Sequence, residues 1–224
     1  MTRRNDRVVF ADRAEAGARL AAELERRRWL DPVVLGLARG GVPVADAVAR
    51  RLDAPLEVAV ARKIGAPGRP EFGIGAVTPD GPAIYHRQSL DALGITADDL
   101  ADVTARERAE ARRRAGRYRN GRTLEPVQDR DVILVDDGLA TGVTATAVLR
   151  ALREQRVRSV VFAAPACAPP AASALLQEAD DVVCVAVPDE FVAVGRWYAD
   201  FGQTSDDEVV ALLEAARHRS HEGL

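Results

Sequence analysis

Four short apolar runs alternate along the chain with stretches of helical periodicity: VVLGLA from Val33, VILV from Val132, VVFAAPAC from Val160 and VVCVAVP from Val182. Continuous Val, Ile, Leu and Ala without polar alternation marks strands covered on both faces. Strands separated by helices join through crossovers, so the pattern predicts an α/β fold with a mostly parallel, twisted sheet and helices on both faces. VPVADAVARRL follows the first run, VTATAVLRALREQ the second, and a Pro-led segment through Leu176 the third. LEVAVAR from Leu56 reads as a further strand that ends at Arg62 and Lys63.

Around this core, Asp12 with Glu15 three positions on opens an amphipathic helix that closes in three arginines. IGAPGRPEFGIG, rich in Gly and Pro and without periodicity, predicts a mobile loop, with GIGAV from Gly73 as a short strand. Residues 78–128 read as a helical insertion with a helix opening near Thr96, where Asp98 and Asp99 fill the first turn. Residues 188–204 form an aromatic-rich cover, or hood, and residues 205–217 a capped C-terminal helix. Residues 1–224 are expected to make one domain with these two additions.

Composition narrows the function. The apolar runs are broken by charge or proline well short of the roughly 20 residues of a membrane helix, and MTRRNDRVVF has no apolar stretch of a secretory signal. A cytoplasmic protein is expected. Its two cysteines, Cys167 and Cys184, are read as buried, inert thiols in preference to a disulfide, and without nearby histidines they make no zinc site. A net charge of −3 argues against bulk electrostatic binding of nucleic acid. Of 31 Lys and Arg residues a single one, Lys63, is lysine.

The chemistry gathers where strands end. In VILVDDGLATGVT two adjacent carboxylates, Asp136 and Asp137, end an apolar strand, and Thr141, Gly142 and Thr144 open the next helix. The amides of Ala140, Thr141, Gly142, Val143 and Thr144 could close around an anion, with the threonine hydroxyls donating as well. Carboxylates a few ångströms away could accept from vicinal hydroxyls, and a phosphate beside a diol describes a ribose 5-phosphate. Asp at a strand end and Thr-Gly at a helix start also serve as plain turn and capping residues. Two adjacent acids repel each other, however, and a structural turn needs only one.

VILVDDGLATGVT resembles the signature of the type I phosphoribosyltransferases, an apolar strand, two acidic residues and a T-G-x-T phosphate loop. The resemblance implies that Asp136 and Asp137 hold the ribose hydroxyls of phosphoribosyl pyrophosphate (PRPP), and that Ala140 to Thr144 hold its 5-phosphate. LGLARGGVP is similar to the family's pyrophosphate loop, with Arg39 and Gly40 in it. ARKIGAPGRPEFG is similar to its basic pair, Arg62 and Lys63, before a loop that closes over the site. A rotatable ammonium can donate to phosphate oxygens in ways that arginine's planar fork does not reproduce.

VPDEFVAVGRWYADF looks like the cover of the 6-oxopurine members of the family, which implies purine salvage. Phe191 and Trp197 would then face a base, with Asp200 near it, although FVAVG is one residue longer than that pattern. The same aromatics could instead pack the cover onto the sheet.

What the resemblance implies is Mg²⁺-dependent transfer of the 5-phosphoribosyl group from PRPP to a nitrogen of a nucleobase or similar acceptor, with release of pyrophosphate. Mg²⁺ would be held mainly by PRPP, and Asp137, Lys63 and Arg39 would be the catalytic residues, Asp137 as ribose ligand, proton acceptor or both. His86, His218 and His221 lie in the insertion or the tail and offer no general base. A homodimer is the usual expectation. The alternative is a PRPP-sensing regulator that binds RNA or DNA, which the arginines between Arg106 and Arg122 would serve; such runs are more often solvated helix faces. No G-x-x-x-x-G-K-[ST] or G-x-G-x-x-G spacing occurs, and a receiver domain would place its acids early and its lysine late.

Overall fold

A computed structural model describes residues 10–122 and 125–222. The N-terminal segment before Phe10, in which no secretory signal was read, lies outside the described residues, as does the side chain of His221.

The elements run in order α1 (Arg13–Glu25), β1 (Val33–Leu37), α2 (Gly41–Leu52), β2 (Leu56–Ala59), β3 (Arg62–Ala66), β4 (Arg69–Val77), β5 (Ile84–Tyr85), α3 (Arg87–Leu93), α4 (Ala101–Arg119), β6 (Asp131–Val135), α5 (Val143–Arg153), β7 (Ser159–Ala166), α6 (Pro169–Leu175), β8 (Asp181–Ala186) and α7 (Asp206–Glu222), with 3₁₀ turns at Asp98–Leu100 and Val194–Trp197. Five strands form a fully parallel sheet in the order β2-β1-β6-β7-β8.

The four apolar runs become β1, β6, β7 and β8, and their residues divide between two cores by the two-residue period of a strand. Val34, Ile133 and Val161 pack on one face with Leu20 and Leu24 of α1, Val44 and Val48 of α2, and Val209 and Leu213 of α7. Val33, Leu35, Val132, Leu134 and Phe162 pack on the other, with Val148, Leu149 and Leu152 of α5 and Leu175 of α6. Both faces being covered is why these strands carry no polar alternation. Asp12 caps α1 as its sequence implies: its carboxylate accepts from the Glu15 N–H at 2.8 Å, and the Ala11 N–H returns a bond to Glu15. The first 3₁₀ turn has the same reciprocal device, with the Thr96 N–H donating to Asp99 Oδ2 at 2.8 Å.

Four expectations are corrected. The strand read through Arg62 ends at Ala59, and Arg62 begins β3. The Gly- and Pro-rich stretch after Lys63 is no irregular loop: β3 and β4 pair antiparallel around a Pro67-Gly68 turn, and β5 adds to β4. Its buried face, Ile64, Ala66, Ile74 and Val77, is too broken by glycine and by register shifts to show a period in the sequence. Cys167 and Cys184 form a disulfide rather than two free thiols, because the parallel pairing of β7 and β8 brings their Cα atoms to 6.1 Å. C-terminal helix α7 also continues past residue 217 to Glu222, with Ser205 capping it through the Glu208 N–H at 3.1 Å. Among the described residues no helix is long and apolar enough to cross a membrane.

Candidate functional site

From β1 the chain crosses by α2 to β2 on one side, whereas β6 leads to β7 and β8 on the other. Sheet order therefore reverses between β1 and β6, and a crevice opens beyond the carboxyl ends of such a neighbouring pair. Ala38, Arg39 and Gly40 follow β1 there, and Asp136 and Asp137 follow β6. The peptide between Ala38 and Arg39 is cis. A cleft of about 880 Å³ opens at this point, lined by Asp136, Asp137, Gly138 to Gly142 and Thr144, by Arg62 and Lys63 of β3, and by Asp102, Val103, Arg106 and Glu107 of α4.

The backbone of 136–144 is pinned from behind. Asp136 N–H donates to Ala163 O at 3.1 Å, Leu139 N–H to Ala166 O at 2.8 Å, and Ala168 N–H to Leu139 O at 2.7 Å, all toward β7 and the residues after it. Gly142 precedes α5 with φ +75°, a left-handed conformation costly to any residue with a Cβ. Thr146 N–H donates to Gly142 O at 2.8 Å, so the preceding amides of Val143, Thr144 and Ala145 have no acceptor in their own helix. Those amides and the positive end of α5 make a place for an anion.

The two acids differ in their surroundings. Asp136 Oδ1 accepts from the Asp137 N–H at 2.8 Å, and burial, with the neighbouring Asp137 second, pushes its carboxyl well above the ordinary range. Asp137 is raised by burial too, but the Arg13 guanidinium pulls against it. Nε and Nη2 of Arg13 both donate to Asp137 Oδ2, at 3.0 and 2.8 Å. Tyr198 donates its hydroxyl to the Asp137 carbonyl at 2.6 Å, and burial followed by the Asp137 charge pushes its phenol strongly up.

Among the other residues singled out in the sequence, Lys63 faces the cleft, exposed and without an ion pair among the described residues. Arg62 also lines it but is paired with Glu107 of α4, its Nη2 at 2.9 Å. Arg39 turns away, 3.8 Å from Asp206 at the start of α7, and with Gly40 lines a smaller pocket of about 340 Å³ on the far side of Asp137. Phe191, Trp197 and Asp200 do not line the large cleft, which the cover reaches through Val194. Trp197 is buried, 6.3 Å from the Phe191 ring in a stacked arrangement, and its Nε1 has no hydrogen-bond partner among the described residues. Asp200 is exposed and accepts from the Gly202 N–H at 3.0 Å.

Sequence reasoning missed Arg13, Tyr198 and the α4 wall. One signal for Arg13 was available, because a cation in the first turn of a helix opposes the dipole and implies a partner elsewhere. Nothing in the sequence aims α4 at the cleft. Its arginines are largely committed within the fold: Arg108 to Gly81 O, Arg112 to Pro79 O, Arg113 and Arg114 to Glu110, and Arg117 to Asp206 and Asp207. The regulator alternative draws no support from that pattern. Among the described residues no group of three or more His, Cys, Asp or Glu is placed to hold a metal ion.

The family model for a phosphoribosyl transferase domain matches residues 11–200. Two Mycobacterium tuberculosis proteins, "Putative phosphoribosyl transferase Rv0571c" of strain H37Rv and "Putative phosphoribosyl transferase MT0597" of strain CDC 1551, are each 43% identical over 211 residues, or 94% of this chain and 47% of their own. The chain thus spans about half the length of these curated relatives. The crystal structure of TT1426 from Thermus thermophilus is similar at a TM-score of 0.77 and 45% identity, covering 92% of this chain and 97% of that one. AQ2163 from Aquifex aeolicus shares the fold at a TM-score of 0.50 and 11% identity, over 82% of this chain and 78% of its own. With the acidic pair, the amide loop and the switch-point cleft in one place, the chain belongs to the phosphoribosyl transferase domain family.

Proposed function

We propose that the chain transfers the 5-phosphoribosyl group of PRPP to a nitrogen of a nucleobase or similar acceptor, with a 6-oxopurine the first to try. The observation that carries this reading is the sharing of one cleft by Asp136, Asp137 and the amide-lined start of α5. In the reaction the acceptor nitrogen's lone pair forms a bond to the anomeric carbon, the bond from that carbon to the pyrophosphate oxygen breaks, and pyrophosphate leaves with the electron pair. The nitrogen's proton passes to Asp137 or to water.

Asp136 and Asp137 accept from the ribose hydroxyls, and the amides of Ala140 to Thr144 hold the 5-phosphate. Lys63, free to rotate in the cleft, meets the negative charge that develops on the departing pyrophosphate. The turn after β1 meets the cleft through Leu37 and Ala38, with Arg39 and Gly40 supporting it from the pocket behind Asp137, and Arg62 adds positive charge as far as Glu107 leaves it free. The acidic pair supplies hard oxygen donors that suit Mg²⁺, an ion bound through one or two carboxylates together with substrate phosphates. Bound with PRPP, Mg²⁺ would neutralise the diphosphate as it departs. Val194, backed by Phe191 and Trp197, and the α4 wall bound the space open to the acceptor, with Asp200 holding the turn behind them.

Calorimetry of the full chain with PRPP and Mg²⁺ tests the reading, together with pyrophosphate release on a panel of bases. Binding is expected in the wild type and is expected to be lost in the Asp136→Asn, Asp137→Asn double variant with circular dichroism unchanged. Unaltered affinity in that variant removes the ribose contact.

A further inference from the structure

Arg13 occupies the first position of α1, yet its guanidinium is drawn away from that helix in three directions. Beside its two bonds to Asp137 Oδ2, Nη1 donates to Gly202 O at 2.6 Å, and the guanidinium carbon lies 4.0 Å from the centre of the Phe201 ring. Thirteen per cent of the Arg13 side chain and 16% of the Asp137 side chain are exposed, so water screens the pair weakly.

Both guanidinium bonds to Asp137 fall on the same oxygen. Oδ2 is also the atom that a Cβ on Gly40 would meet at 1.9 Å, so it is enclosed between Arg13 and the turn after β1. Oδ1 receives neither guanidinium bond. Gly202 and Phe201 belong to the cover, so one side chain joins the ribose-facing acid to the segment that bounds the acceptor space.

We propose that Arg13 is a positioning residue: it anchors Asp137 through Oδ2, turns Oδ1 to the ribose, and makes that setting depend on where the cover sits. This rests on the reading of Asp137 as a ribose ligand. A planar fork supplies three donors in fixed directions and a face for the Phe201 ring, which the single nitrogen of lysine does not. Displacement of the cover is then felt as weaker binding of PRPP, without any contact between cover and PRPP.

Calorimetry of the full chain with PRPP and Mg²⁺ provides the test, on the wild type, Arg13→Ala, Arg13→Lys and Phe201→Ala. Arg13→Ala is expected to weaken binding about ten-fold or more, a loss of about 1.4 kcal/mol. Guanidinium chloride at non-denaturing millimolar concentration is expected to restore much of that loss and to leave the wild type unchanged, which a purely structural role would not produce. Arg13→Lys should restore little, and Phe201→Ala should weaken binding by a smaller factor. Wild-type affinity in Arg13→Ala, or a loss that guanidinium does not relieve in a folded variant, overturns the proposal. Should Arg13→Ala fail to fold, Phe201→Ala decides, and wild-type affinity there overturns it. A wild type that gives no heat with PRPP and Mg²⁺ defeats the ribose reading itself, whatever the variants do.

Discussion

The Tyr198 hydroxyl donates to the backbone carbonyl of Asp137 at 2.6 Å, so the cover holds the acidic turn by its main chain as well as by the Arg13 side chain. Tyr198 is buried against Phe10, their ring centroids 5.5 Å apart, and Phe10 N–H in turn donates to Trp197 O at 2.7 Å. Cover, Phe10 and acidic turn thus form one unit.

Tyr198→Phe removes that donor and leaves a part-buried carbonyl without a partner. The expected cost is about 1–3 kcal/mol of stability. A denaturant midpoint lowered with unchanged slope would show it, and PRPP affinity should fall in the same variant because the turn loses its brace.

Asp136→Asn should give opposite signs for stability and function. Burial raises the Asp136 carboxyl, so between the ordinary carboxylate range and its raised value the folded chain keeps a proton that the unfolded chain has lost. More protons bound in the folded state means stability that falls as pH rises through that window. The amide stays neutral and still offers an oxygen to the Asp137 N–H. The variant is therefore expected to melt higher than wild type at neutral pH, to lose that advantage below the ordinary carboxylate range, and to bind PRPP poorly. Equal melting of the two proteins at neutral pH would contradict this.

Gly40→Ala isolates a steric effect on Asp137. Gly40 has φ −61°, which alanine adopts freely, but the new Cβ would stand 1.9 Å from Asp137 Oδ2 and 2.7 Å from its Cγ. The carboxylate must move, and PRPP affinity should drop about ten-fold or more, equivalent to about 1.4 kcal/mol. Combining it with Asp137→Ala should add little, since both changes act through the same carboxylate.

Reduction of the Cys167–Cys184 bond should lower stability. The two positions are 17 apart in the chain, and a loop near that length contributes about 3 kcal/mol by restricting the unfolded state. Denaturant unfolding with and without a reductant measures it, and the bond's nearness to the amide-lined turn before α5 makes PRPP affinity worth following alongside: Cys167 pairs with Leu139 in an isolated bridge. Superimposable transitions would mean that the β7–β8 pairing alone carries the constraint.

Sequence alone determined the parallel sheet and the acidic strand end, because both are local. Burial on two faces demands uninterrupted apolar strands such as Val132–Val135, and an anion loop demands small residues such as Gly142 at its turn, where the left-handed backbone excludes a Cβ. Tertiary structure alone decided which distant side chains meet. Glycine and register shifts concealed the β3–β4 hairpin, since its buried face has no steady period. The pairing of Cys167 with Cys184 required β7 and β8 to be neighbours. Arg13 reaches Asp137 across 124 positions, and Glu107 reaches Arg62 across 45. Local spacing does not name the partner in such contacts, because packing of helices on a sheet sets it, and they determine which charges in the cleft stay free to meet a ligand.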